Sequence, residues 1–596
     1  MIKRFAWILV VCLMLVALVA GYSIEAQRRI RTEELNRLRQ AVQTYHESNM
    51  LPSASMKLAS DELQTQYFAE RKADYMQFME NYLAEMQAMN TEANLAYWDA
   101  SISGTEEDFE KFAGLSLKIK TYLSDKERYE QFKSLREAAG GLSPLEERAA
   151  VVADLAFQSH QLPEDLLRQM VDLSKEIEMI FQTDRAELDG QPYTNNDLLE
   201  MIRKETDSAK REAIWKALKA VGDKVGPKLV ELAKIRNEAA KQLGFNNYWE
   251  MEIVFQEHDP KQLMEIFAEL ETLTTPLFAG MKAELDAELS AKFSVAVEDL
   301  RPWHYDNPFF QEAPPAADLD MDVFYEGKTK EDIAEISRKY FNDIGISADR
   351  VLEHSSLYEQ EGKSQHGFCT SIDGEGDVRI LCNLKPDANW MDTQLHELGH
   401  AVYDVNIDKS LPYNLRDPAH IFTTEGVAMY FGALGHDPQW LTEYVGVDAD
   451  QANAMADAMK KQRRRAQLIF CRWVLVMLHF EKALYENPDR DLNTLWWDTV
   501  EQYQMLHRPE GRDAADWASK PHFTIAPVYY HNYMLGELYS AMIREAAAGL
   551  TPGSDEYRDL FINRIFKPGS TTLWPEFVRQ SMGREFSPAA FAKELE

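Results

Sequence analysis

The stretch QLHELGHAVYD runs from Gln394 to Asp404 and holds the pattern H-E-x-x-H, with His396 and His400 bracketing Glu397. On a helix, residues four apart share one face, so both imidazoles reach a single point. Glu397 then sits about 100° around the axis from His396, close enough to serve a water without ligating an ion. Leu395, Leu398 and Val402 fall on the buried side. Neutral histidines as ligands, with a carboxylate to take a proton, are what a hydrolytic zinc centre requires. The stretch therefore predicts a core helix that carries a metal on its polar face.

Such a centre needs a third protein ligand. Twenty-four residues lie between His400 and Glu425, which stands in DPAHIFTTEGVAMYFGALG (417–435). Thr423 or Thr424 is expected to cap a helix there, with Glu425 in its first turn and its carboxylate directed inward. An acid in a first turn also answers the helix dipole, so the glutamate gains meaning only beside the two histidines. Further on, KPHFTIAPVYYHNYMLGEL (520–538) gathers Lys520, His522, Tyr529, Tyr530 and Tyr533 around Pro527. Histidine and tyrosine can donate to the oxyanion of an attacked carbonyl. A lysine can hold a carboxylate.

Working outward, residues 32–290 repeat apolar positions every three or four amid charge, the mark of amphipathic helices. AAGGLSP, ELDGQPYTNND and QEAPPAADLDMD interrupt that pattern as loops. HGFCTSIDGEGDVRILCNL (366–384) reads instead as two short strands joined by a turn. A turn centred on Glu375-Gly376 would set Cys369 and Cys382 across from each other, as a disulfide or as a reduced pair. After Asp404 the helical pattern resumes.

The 596 residues are 45% hydrophobic and 27% charged, in the range of ordinary globular proteins. A formal net charge of −34 disfavours nucleic acid or an anionic lipid surface as the main partner. Four cysteines do not make a disulfide scaffold. At the N-terminus, Lys3 and Arg4 precede the apolar run FAWILVVCLMLVALVAG. Residues 1–26 thus read as a signal peptide or an uncleaved membrane anchor, and the protein as exported to a periplasm or cell envelope.

These residues together resemble the peptidyl-dipeptidase A family, the angiotensin-converting-enzyme-like zinc peptidases, and share much with the thimet-oligopeptidase and oligoendopeptidase F pattern. The likeness is densest at His366, Asp377-Val378-Arg379-Ile380, His396-Glu397-Leu398-Gly399-His400 and Glu425, and again from Lys520 to Gly536. It implies one Zn2+ per chain held by His396, His400 and Glu425, with Glu397 as general base and then general acid. It implies that His522 and Tyr533 stabilise the tetrahedral intermediate, and that Lys520 and Tyr530 grip a C-terminal carboxylate. His366 and Gly367 would line the substrate, main chain to main chain.

The chain also departs from that pattern. Met429 replaces a supporting aspartate, Tyr530-His531-Asn532-Tyr533 lacks the chloride-binding arginine, and PWHYDNPFF (302–310) supplies no partner glutamine for the lysine. The implied fold is mostly α: a two-lobed helical gluzincin body around a deep cleft, with one small β-sheet beside the H-E-x-x-H helix. Residues 27–596 would form a single peptidase domain. The implied activity is release of dipeptides from short peptides with a free C-terminus. An oligoendopeptidase or carboxypeptidase using the same chemistry is the alternative, and a non-catalytic exported peptide-binding protein is the more distant one.

Overall fold

A computed structural model describes residues 54–314 and 319–596, with side chains from residue 69. The expected leader or anchor at 1–26 lies outside them. Among the described residues no helix is long and apolar enough to cross a membrane.

The fold is mostly α. The periodic segments become α1 (Ala54–Ser103), α2 (Val221–Gln242) and α3 (Pro260–Phe293), the last capped by Asp259 with Pro260 at its first position. The periodic stretch NDLLEMIRKETDSAKREAIWKALKAVGDKVGPKLVELAKIRNEAAKQL (196–243) does not form one helix. Asp207 caps a separate helix, Ser208–Lys219, before α2 begins.

The expectation of one small sheet is corrected to two hairpins. ELDGQPY, read as a loop, contributes to β1 (Ala186–Leu188) and β2 (Gln191–Tyr193), joined through Asp189 and Gly190, both at positive φ. Two residues of turn chemistry allow a tight reversal as readily as an open loop. The second hairpin is β3 (Phe368–Ser371) and β4 (Val378–Leu381), antiparallel, with Cys369 opposite Ile380. Cys382 lies beyond the end of β4, so the cysteines are not cross-strand partners, and both are free thiols. Asp373 explains the shift: its carboxylate accepts the N–H groups of Glu375 and Asp377, fixing a longer turn.

The chain packs as two compact units. Of the described residues, one comprises 54–85 together with 125–154; there Tyr75 and Phe132 are buried, and Lys72 bonds Glu146 at 2.8 Å. The other comprises 86–124 and 155–596 and holds every candidate site residue. Its core is built around α4 (Ala388–Asn406), α5 (Ile421–Gly432), α6 (Ala449–Glu486) and α7 (Tyr530–Ala547), with Leu395, Leu398 and Val402 fully buried as the α4 pattern predicts.

Glycine sets the spacing of these helices. A Cβ on Gly399 of α4 would lie 2.7 Å from the Ala428 Cα of α5. A Cβ on Gly426 of α5 would lie 2.9 Å from the Gly536 carbonyl oxygen of α7, and one on Gly536 3.0 Å from the Glu425 Cβ. Real Cβ atoms do not approach backbone so closely. The glycines therefore let α5 sit tightly between α4 and α7, and that contact brings Glu425 to the histidines.

Candidate active site

Asp387 caps α4 by accepting the Trp390 N–H. His396 and His400 then present Nε2 atoms 3.2 Å apart, with ring planes nearly perpendicular. Glu425 Oε2 stands 3.8 Å from one Nε2 and 4.0 Å from the other. Ligand-to-metal distances of about 2.0–2.1 Å at tetrahedral angles put ligand atoms a little over 3 Å apart. The triangle is close to that size, and two neutral imidazoles with a carboxylate suit zinc. The residues therefore fit the ion that the motif implies.

The cap of α5 differs from expectation. His420 is the N-cap, its ring accepting the Phe422 N–H, and Thr423 Oγ1 accepts the His420 N–H. Glu425 falls in the second turn rather than the first. Thr424 is thereby free to meet His400 Nδ1 at 2.7 Å. That bond fixes the ring and leaves Nε2 for a metal, the usual task of a partner behind a ligating histidine. The sequence places this threonine beside the third ligand, and the position of the cap decides that its hydroxyl serves the histidine.

Glu397 is 8% exposed. Burial, then the nearby Glu425 carboxylate, pushes its carboxyl up to about 8, while burial pushes Glu425 up to about 7. A cation held between them would favour the ionised forms of both. Gly367 lies against this group: a Cβ there would stand 3.5 Å from Glu397 Oε1 and 3.0 Å from Thr393 Cγ2. His366 is exposed, two residues ahead of β3. Thr393, His396, Glu397, Met429, Arg463 and Glu537 are among the walls of a cavity of about 520 Å3.

The second dense block forms a chain of aromatic rings. His522 and Tyr530 are 4.9 Å apart, Tyr530 and Tyr533 5.7 Å, and Tyr529 and Tyr533 5.2 Å, between centroids. Burial, then the Glu425 charge, raises the hydroxyl pKa of both Tyr529 and Tyr533, so both lie within reach of that carboxylate's field. Tyr530 instead packs on Trp473, and its ring centroid lies 5.5 Å from the Lys520 ammonium. Burial, then Lys520, pushes His522 down to about 4, so it is neutral near pH 7, and its Nδ1 is buried without a hydrogen bond.

Two buried devices hold this block. Arg236 of α2 donates to the Phe523 and Thr524 carbonyls at 2.6 and 2.9 Å. Val528 takes φ 53°, a strained value for a β-branched residue, where Glu481 of α6 accepts its N–H at 2.9 Å and Gln256 donates to its carbonyl.

Lys520 is 6% exposed, and burial pushes its ammonium down to about 8. It donates to Gln311 Oε1 at 2.6 Å. This corrects the expectation that the lysine lacks a partner glutamine, because the residue directly after PWHYDNPFF supplies one. Gln504 holds the loop there by donating to the Phe309 and Phe310 carbonyls. Spacing alone does not show that a loop from before the catalytic motif returns to a lysine after it.

Residues 69–548 match the model of the peptidase M2 family, described as angiotensin-converting enzyme. The chain belongs to that family. Its angiotensin-converting-enzyme likeness reaches well beyond the two dense motif blocks into the N-terminal helices. Carboxypeptidase 1 of Bacillus subtilis (strain 168) is 23% identical to it over 363 residues, 56% of this chain and 64% of that relative. The chain thus matches somewhat under two thirds of the length of that relative.

Proposed function

We propose that the protein is a zinc-dependent peptidase that releases dipeptides from the free C-terminus of short peptides. The observation that carries the reading is the His396–His400–Glu425 triangle with Glu397 beside it, in a chain of the angiotensin-converting enzyme family. Zinc, when bound, supplies Lewis acidity to the attacked carbonyl and to the nucleophilic water.

The chain's own groups do the rest. Glu397 takes a proton from the attacking water and returns it to the leaving amine. Tyr533 and neutral His522 donate to the developing oxyanion. Lys520 and Gln311, with Tyr530 alongside, hold the terminal carboxylate and fix how far from the end the cut falls. The backbone at Gly367 lies where an extended substrate strand would pass Glu397. The apolar leader at 1–26 supports an exported protein of the periplasm or cell envelope, cut or anchored there.

A second reading has one observation in its favour: the Bacillus relative is named a carboxypeptidase. Timed mass spectrometry of a decapeptide decides between them. Successive losses of two residues that stop with chelator and with a C-terminal amide establish the proposed activity. Single-residue losses establish a carboxypeptidase. Internal cuts indifferent to the amide would remove the carboxylate role from Lys520. Unaltered hydrolysis by a Glu397→Ala variant would remove the catalytic assignment.

A further inference from the structure

Behind Lys520 lies a cavity of about 340 Å3, and a second lysine opens onto it. Lys219, the last residue of helix Ser208–Lys219, is 3% exposed. Its ammonium rests 3.0 Å above the Phe309 ring centroid and 5.6 Å from that of Trp215. Among the described residues it makes no hydrogen bond and no ion pair. Lys520 approaches the same Phe309 ring at 5.3 Å. Two ammonium groups thus share one aromatic ring and one cavity, separated by no more than the sum of those two distances.

The acids nearby are already engaged. Asp516, fully buried, accepts the Arg512 guanidinium with both oxygens. Asp184 pairs with Lys224, and exposed Glu312 lies near Arg203 and accepts from Gln311. Buried cations are normally paired, and an unpaired one is costly. A cation over a ring face keeps its N–H donors for another acceptor. The two carboxylates on the cavity wall, Asp184 and Glu312, are thus engaged by other groups, and among the described residues Lys219 has no carboxylate of its own.

We propose that this cavity receives the side chain of the substrate's C-terminal residue, and that Lys219 selects an acidic one. The inference rests on the peptidase reading above. A terminal glutamate or aspartate carries two carboxylates joined through two to three carbons, one for Lys520 with Gln311 and one for Lys219. The cavity joins both lysines, so no other part of the substrate need bend to reach the second. Burial favours the neutral amine of Lys219, opposed by Asp516, and a carboxylate brought beside it by the ligand restores the ammonium.

The test compares two peptides that differ only at the last residue, glutamate or glutamine, with the full-length enzyme. The wild type is expected to favour glutamate in kcat/KM by about tenfold or more, the worth of a hydrogen-bonded charge pair. Lys219→Met should bring the ratio to near one, and Lys219→Arg should retain a preference. Each ratio is taken on one preparation, so loss of folded enzyme cancels. If the methionine variant does not fold, the wild-type ratio decides alone. A wild-type ratio near one, or a preference that survives Lys219→Met, overturns the proposal. So does activation of the glutamine peptide by chloride or phosphate through Lys219, which would make the cavity an inorganic anion site. Equal cleavage of C-terminally amidated peptides would instead overturn the carboxylate reading and this inference with it, while amide sensitivity with a ratio of one sinks this inference alone.

Discussion

A single hydroxyl separates two descriptions of α5. Had Thr424 served as the cap, His400 would have had no bonded oxygen behind it. As His420 caps the helix, Thr424 Oγ1 stands 2.7 Å from His400 Nδ1. Thr424→Val keeps the shape and removes that oxygen. It is expected to weaken metal affinity by about 10–100-fold, measured by competition with a chromogenic chelator, with kcat at saturating metal close to that of the parent. Unchanged affinity would make the bond incidental. Lys520 gives a pH signature at the same scale. Its buried ammonium is lowered to about 8, so it is charged below that pH and loses its charge as pH rises through it. KM for a free-acid peptide should therefore climb above pH 8, toward tenfold per unit, while kcat changes little. In Lys520→Arg that limb should move out of range, because guanidinium remains charged. A limb that persists in the arginine variant would belong to another group.

At the scale of elements, glycine at helix crossings controls the site. The Gly399 Cβ position collides with backbone of α5, which no rotamer change relieves. Gly399→Ala should cost about 1–3 kcal/mol and weaken metal binding as well, since α5 carries Glu425. Gly280→Ala in α3 is the control: open space surrounds that position, and it should be neutral or stabilising by up to about 1 kcal/mol. Thermal melts and metal titrations of the two variants check this, and a silent Gly399→Ala would mean that the helices can part without moving the ligands. What was legible in the sequence follows the same division. H-E-x-x-H, the buried leucines of α4 and the strand pair at 368–381 are local patterns, and local geometry produced them. The caps, the hairpin register and the hairpin at 186–193 turned on which of several adjacent polar residues bonds which N–H, and composition does not rank those. Gln311 and Lys219 were out of reach for another reason: their meaning comes from a loop and a helix end folding back on Lys520 from more than two hundred residues away.

For the whole molecule, the charge disfavours nucleic acid as the main partner and the periodicity predicts a mostly helical chain, and the family match over residues 69–548 agrees with a helical peptidase body. The largest energetic consequence of the reading is linkage. All three candidate ligands lie between His396 and Glu425, on two helices whose contact is one of the closest in the core. An ion that binds the folded chain and not the unfolded one stabilises it by RT ln(1 + [M]/Kd), about 2.7 kcal/mol at a hundredfold excess over Kd. In a chain of this size that is a shift of a few degrees. Chelation should therefore lower the melting temperature by that amount, and one equivalent of zinc per chain should restore it together with activity. Glu425→Gln should abolish the zinc-dependent part of the shift while leaving the chelated form near its parent, because the amide preserves volume and removes a buried carboxylate. A zinc effect that survives in Glu425→Gln would place the ion elsewhere, and the His396–His400–Glu425 triangle would then have to be reread as a buried polar cluster.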